Sequence, residues 1–379
     1  MLEKLNNNQQ TFFALLRAGL WEKDVELQKY GTIDFSKVYR LAEEQSLVGL
    51  TAAGLEHIID VKTPQKFALQ FAGTAMQMEQ RNMAMNVFLA SLSEKLKAEH
   101  INALLVKGQG IAQCYERPHW RACGDVDFLL DNENYEKGKR FLSGIAQEVH
   151  EENDFDMHFS VMLDGWDVEL HGSMRSMLPT KTDFLIDKVQ KEAFEQNKHR
   201  IWNNNGTKIL LPSPDDDVIF VFTHILKHFF HYGIGLRQVC DWCRLIFTYR
   251  DSLNYGLLES RLRKMGLMSE WKVLGALAVE YLGYPKDSMP FLESSSVQEF
   301  KKFKRKADRV LAYILETGNF GHNRDNSYYN NTNAIVRGMM SLWRHTCDSF
   351  KHSFIFPVDS VRIWGRMFGL GICDALKGK

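Results

Sequence analysis

Asp125 and Asp127 stand one residue apart in RACGDVDFLL, where an apolar run begins. Residues two apart on a strand share a face, so both carboxylates point the same way. Buried charge without a partner is too costly to persist, and a divalent metal is the usual partner for such a pair. Downstream, Asp167, Glu169 and His171 repeat the period of two in WDVELH. If the two strands are neighbours, Glu169 joins Asp125 and Asp127, and Asp167 is the substitute should Glu169 stand too far away. Three clustered carboxylates repel one another unless a cation holds them. Mg²⁺ (or Mn²⁺) takes a few carboxylates together with waters and substrate phosphates. That combination suits phosphoryl or nucleotidyl transfer by two metals.

Phosphates need a cradle, and Lys107-Gly108-Gln109-Gly110 follows an apolar run and opens a short helical pattern. Backbone N–H groups at such a turn hold phosphate, and Lys107 adds a point charge. Arg121, four residues before Asp125, has the fork that binds phosphate in a bidentate way. Alone, an Asp-x-Asp pair is more often a turn or cap element, and a Lys-Gly turn says less still. The ordered set carries the reading: strand, glycine turn, short helix, Arg, Asp-x-Asp strand, acidic hairpin strand.

These groups have to be positioned by the rest of the chain. Residues 8–20 read as an amphipathic helix, and a second runs from a cap at Asp34 or Ser36 to Leu55. Thr63-Pro64 starts a long third helix with Thr as cap and Pro at its first position, reaching Glu99. Its Met-rich stripe reads as core packing. The α/β unit spans 100–212, with strands at 101–106 and 125–130 and a helix at 135–148. A hairpin follows at 158–170, turning on Asp164-Gly165, and another hairpin or edge segment at 200–211. Ser213-Pro214-Asp215 caps a helix whose macrodipole favours the acidic residues there. Helices follow at 255–265, 268–282, 297–316, 333–350 and 358–376, with a Gly/Asn-rich loop at 317–331. The expected fold is α+β: a small mixed-sheet core (βαβ plus hairpin) at 100–212, flanked by helical regions at 1–99 and 213–379, with the helices of the unit on one face of its sheet.

Bulk properties limit the partners. Lys plus Arg and Asp plus Glu number 47 each in 379 residues, so no net charge draws the chain to nucleic acid, although local patches remain possible. Six cysteines spread over this length do not make a secreted disulfide framework and point to a reducing cytoplasm. The N-terminus lacks a continuous apolar segment of the leader type. The most apolar segment, 218–236, is interrupted by His224, Lys227, His228 and His231, which excludes a membrane span there.

Other groups compete for attention. His224 and His228 share a helix face, but no Glu lies between them as a zinc-protease motif requires; they read as polar residues lining a cleft. Arg237 and Asp241, also four apart, form either an ion pair or part of an acceptor pocket. Cys240 and Cys243 have redox-motif spacing inside a helical pattern and read as two buried thiols. The basic cluster at 301–306 reads as a solvated helix face. As an RNA site it would need stacking aromatics beside the charge.

LLVKGQGIAQCY, RACGDVDFLL and VELHGSM together resemble the uncharacterised nucleotidyltransferases of the DNA polymerase beta-type superfamily. DFSKVYRLAEEQSLVGL and SPDDDVIFVFTHILKHFFHYGIGLRQVCDW extend the resemblance to about residues 30–330, with sharp motifs only between 104 and 171. The resemblance implies that Asp125 and Asp127 bind metal and that Glu169 is the third acidic residue, where the wider superfamily usually has Asp. Gly108-Gln109 stands where that superfamily has Gly-Gly or Gly-Ser. It implies an enzyme that moves an NMP group from an NTP to an acceptor. Lys107, Gly108, Gln109 and Arg121 would hold the nucleotide, and His171, His224, His228, Arg237 and Asp241 the acceptor. The alternatives are an inactive nucleotide-binding adaptor of the same fold and an RNA-modifying transferase.

Overall fold

A computed structural model describes residues 5–150, 152, 157–196, 198–324 and 334–376. Four helices come first: α1 (Asn7–Trp21), α2 (Phe35–Glu44), α3 (Val48–Glu56) and α4 (Gln65–Ala98). The Asn6 side chain and Gln9 cap α1 reciprocally, and Asp34 caps α2. The single helix expected from Asp34 to Leu55 is two. The chain turns at Ser46 (φ +56°), because the buried Gln45 side chain accepts the Leu236 N–H at 2.9 Å and the Ser46 hydroxyl accepts from Asn319 at 2.8 Å. Both contacts come from about 190 or more residues downstream, beyond the reach of local propensity. At the next helix Pro64 is itself the cap position and Thr63 makes no capping bond.

The α/β unit contains β1 (Ala103–Val106), α5 (Gly108–Ala112), β2 (Asp125–Leu130), α6 (Asn132–Ile145), β3 (Glu148–Val149), β4 (His158–Leu163) and β5 (Trp166–His171). The five strands make one sheet in the order β1-β2-β5-β4-β3. Only β2 and β5 run parallel, so the sheet is mixed. Asp164 (φ +52°) and Gly165 (φ +79°) both take the left-handed conformation that a type I′ turn requires. Next comes α7 (Thr180–Glu195), a helix not anticipated above, which buries Ile186, Val189 and Ala193 at helical spacing. β6 (Arg200–Asn204) and β7 (Thr207–Leu211) form a hairpin of their own, outside the main sheet and packed on β1 and α4.

The rest is helical: α8 (Pro214–His231), α9 (Leu236–Tyr249), α10 (Tyr255–Met265), α11 (Met268–Leu282), α12 (Val297–Thr317), α13 (Ala334–Ser353) and α14 (Pro357–Leu376). Ser213 caps α8 as expected. Of the loop expected at 317–331, residues 325–331 lie outside the described residues, and Asn319–Gly321 is a turn of 3₁₀-helix.

Two cores meet at the sheet. On one face Val126, Phe128, Leu130, Val168 and Leu170 pack with Tyr135 and Leu142 of α6 and with Met85, Leu89 and Leu92 of α4. The opposite face is covered too, which corrects the expectation of helices on one side: Leu104, Val106 and Leu129 join a larger core built from α1, α3, α8, α9, α11 and α12. The N- and C-terminal helices therefore share one interior. Phe13 lies 5.6 Å from Tyr281, and Trp21 Nε1 donates to the Leu282 carbonyl at 2.6 Å. None of the described helices is long and apolar enough to cross a membrane.

Candidate active site

The parallel pairing of β2 and β5 sets Asp127 opposite Glu169 and Asp125 opposite Asp167. This register comes from the apolar alternation of the two strands: Val126, Phe128, Val168 and Leu170 are buried on the far face, which leaves the acidic residues on the near one. Carboxylate oxygens of Asp125, Asp127 and Glu169 lie within 4.8 Å of one another. They stand in a cleft of about 350 Å³ between the sheet and helices α8 and α9. Asp167 is not among the residues lining it, so Glu169 completes the cluster.

The charges are partly balanced by the chain itself. Lys107 Nζ donates to Asp127 Oδ1 at 2.7 Å, and His171 Nε2 donates to the same oxygen at 2.7 Å. His158 Nε2 lies 3.0 Å from Glu169 Oε2. Burial alone would raise the Glu169 carboxyl, but hydrogen bonds from His158 and His171 and the Lys107 charge outweigh it and hold the group well below the usual carboxylate range. At Asp125 the Lys107 and Arg237 charges are outweighed. The neighbouring Asp127 charge, then burial, then Glu169 push it up to about 6. Three converging carboxylates, one of them under-neutralised, fit a divalent cation.

The turn before α5 is strained at one residue. Lys107 has φ +56° and ψ −145°, unusual for a side-chain-bearing residue. Gly108 follows at φ +33°, and a Cβ there would stand 3.1 Å from Cys123 Sγ. The two residues together bend the chain from β1 into α5 and aim Lys107 at Asp127. The Gln109 side chain goes the other way. It is buried and donates to Asn82 Oδ1 of α4 at 2.9 Å, which leaves only its backbone for a ligand in the cleft.

Arg121 departs from the expected phosphate grip. Its Nε and NH2 donate to the two oxygens of Asp241 at 3.0 and 2.6 Å, and NH1 donates to the Ala122 carbonyl at 3.0 Å. Its fork is taken. Asp241 also accepts from Tyr115 at 2.8 Å. Of the two alternatives for Arg237 and Asp241, the ion pair gives way to a longer-range partner for Asp241, and both residues line the cleft. Arg237 NH1 donates to the Ala122 carbonyl, while its Nε has no hydrogen-bond partner among the described residues and the side chain lines the cleft. Burial, then the nearby Arg121 charge, lower its pKa.

His224 and His228 line the cleft with their Nε2 atoms 2.9 Å apart. Burial lowers both, His228 to about 3, so the pair is neutral at pH 7. His231 lies outside the lining, with Nε2 3.3 Å from the Met177 carbonyl. Several lining residues were missed in the sequence, His158 and Arg175 among them. His158 shares the period-two face of its own hairpin, a signal that was present. Arg175, bound to Asp187 at 2.6 Å, carried no local signal. Cys240 and Cys243 are buried free thiols, and the basic residues of α12 lie away from the cleft.

Residues 31–283 match the family of uncharacterised nucleotidyltransferases. The chain belongs to that family. The matched segment runs from α2 to the end of α11 and includes every acidic residue of the cleft. Among solved structures, the chain is similar to an antigenic nucleotidyltransferase-like protein from Paracoccidioides brasiliensis, at 15% identity over 52% of this chain and 92% of that one, with a TM-score of 0.30. A likeness at that level carries nothing further. No curated protein matches.

Proposed function

We propose that the protein is a nucleotidyltransferase that moves an NMP group from an NTP to an acceptor hydroxyl. The observation that carries this is the convergence of Asp125, Asp127 and Glu169 at the head of one cleft. These three would hold Mg²⁺ or Mn²⁺. When bound, the cation neutralises the phosphates and favours the attacking and leaving oxygens of an in-line displacement. In that reaction the acceptor oxygen forms a bond to the α-phosphorus, and the bond to pyrophosphate breaks. Glu169, kept ionised by its two histidines, is suited to holding positive charge. A carboxylate of the cluster takes the proton of the acceptor hydroxyl as that oxygen attacks.

For the phosphates we assign Lys107, the backbone of 108–110 and Arg237. Arg237 replaces Arg121 in this role because its Nε is without a partner among the described residues, whereas Arg121 is bound to Asp241. Arg121 and Asp241 are then positioning residues that fix the wall of the cleft. His171, His224 and His228 remain on the acceptor side of the proposal, the last two as neutral donors or acceptors for a polar molecule. The free thiols among the described cysteines fit the reducing, cytoplasmic setting we propose.

One observation favours a second reading, a nucleotide-binding adaptor without turnover: Lys107 already neutralises Asp127 at 2.7 Å. Pyrophosphate release separates the two. Each of the four NTPs is offered with Mg²⁺ and a fractionated cell extract as acceptor source. Release by the wild type, lost in Asp127→Asn, supports transfer. Tight NTP binding with no release for any NTP supports the adaptor.

A further inference from the structure

The β4–β5 hairpin brings donors of a different kind to the same cleft. His158 and His171 are register partners across the antiparallel pair, with ring centroids 5.0 Å apart. Glu169 precedes His171 by two residues and shares its face. His158 Nε2 stands 3.0 Å and His171 Nε2 3.4 Å from Glu169 Oε2, and one donor atom from each of the three residues lies within 4.8 Å of the others. All three line the cleft.

These separations carry information. Two ligands each about 2.1 Å from one ion lie roughly 3.0 Å apart at a right angle and roughly 3.4 Å apart at a tetrahedral angle. Both histidine–carboxylate distances fall on such edges. The His171 Nε2 that stands 3.4 Å from Glu169 also lies 2.7 Å from Asp127 Oδ1, so a bound ion would displace that hydrogen bond. Electrostatics allow an added cation, because the three carboxylates Asp125, Asp127 and Glu169 outnumber the two cations beside them, Lys107 and Arg237. Donor chemistry decides which cation. Imidazole nitrogen suits Zn²⁺ and other late transition ions, and Mn²⁺ accepts it beside carboxylate oxygen, whereas Mg²⁺ prefers oxygen throughout.

We infer that His158, Glu169 and His171 form a second cation site, selective for a transition ion, which shares Glu169 with the all-oxygen site of Asp125 and Asp127. The inference rests on the nucleotidyltransferase reading only through that shared carboxylate. The cleft then has two unlike positions: Mg²⁺ fills the carboxylate one, and Mn²⁺ or Zn²⁺ also fills the histidine one.

The test uses the full chain without nucleotide. Mn²⁺ is titrated in and pulsed electron paramagnetic resonance reads nitrogen coupling to the bound ion. Coupling from directly bound imidazole is expected in the wild type and in Asp125→Asn, and its loss is expected in the His158→Gln/His171→Gln double variant. Zn²⁺ affinity by calorimetry should fall at least about tenfold in His158→Gln, with the thermal midpoint confirming that the variant is folded. Mn²⁺ bound without nitrogen coupling, or Zn²⁺ affinity unchanged in folded His158→Gln, overturns the inference. Failure of the nucleotidyltransferase reading has a different signature: wild type that binds neither Mg²⁺ nor NTP while the nitrogen coupling persists.

Discussion

Arg121 and Arg237 lie in the same wall of the cleft, yet their bonding predicts opposite results on truncation. Arg121→Ala leaves the Asp241 carboxylate buried with only Tyr115 as a donor. Losing one partner of a buried pair costs about 3–5 kcal/mol, so urea denaturation should show a large drop in stability. Arg237→Ala removes one hydrogen bond to the Ala122 carbonyl, worth about 1 kcal/mol. Its main effect should be on NTP affinity, weakened roughly tenfold or more by loss of a charge-assisted contact, as read by calorimetry. The reverse pattern would return the phosphate role to Arg121. At this scale the carboxylates were legible because a period of two needs only neighbouring residues. Arg121's true partner was not, because Asp241 lies 120 residues away and no local pattern links them.

At the scale of elements, the cleft depends on how closely the helices behind it approach. A Cβ at Gly19 would stand 1.9 Å from the Leu50 carbonyl oxygen, and one at Gly54 2.0 Å from that of Leu15. The backbones of α1 and α3 touch there, and only glycine fits. Gly19→Ala or Gly54→Ala should therefore destabilise by about 3 kcal/mol or more through overpacking, with a lowered urea midpoint as the measure. Loss within about 0.5 kcal/mol would mean that the crossing is looser than described. The Asp164-Gly165 turn and the helices at 255–265 and 268–282 were legible, since turn chemistry and helical periodicity are local. The break between α2 and α3 and the far partner of each strand were set by tertiary contacts. The α7 helix had a readable signal in Ile186, Val189 and Ala193 and was passed over.

For the whole molecule, buried titratable groups set the pH range of stability from both sides. His231 and His352 are buried, and burial lowers them to about 4 and about 3 from 6.5. The unfolded chain binds protons there that the folded one does not. Their contribution is fully present above 6.5 and is lost as pH falls towards 3 to 4. His352 sits among Phe229, Phe230, Tyr313 and Phe356 with Nε2 lacking a partner, so His352→Phe should flatten the acid arm of the stability curve. Glu270 acts in the opposite direction. Burial and the adjacent Asp359 raise it from 4.5 to about 8, so the folded chain keeps a proton that the unfolded one releases. That contribution is full below 4.5 and lost as pH rises to about 8. Glu270→Gln should be more stable than wild type at pH 8, by something on the order of a few kcal/mol, with little difference at pH 4.5. Thermal melts across pH would show these slopes or exclude them.

The central claim is that Asp125, Asp127 and Glu169 hold a divalent cation for a nucleotide. Calorimetric titration of each NTP, with and without Mg²⁺, into wild type and into Asp125→Asn/Asp127→Asn tests it directly. The account predicts Mg²⁺-dependent NTP binding in the wild type that falls at least about 100-fold in the double variant, or about 2.7 kcal/mol, while the fold is kept. Equal nucleotide and metal affinity in the two proteins would contradict it.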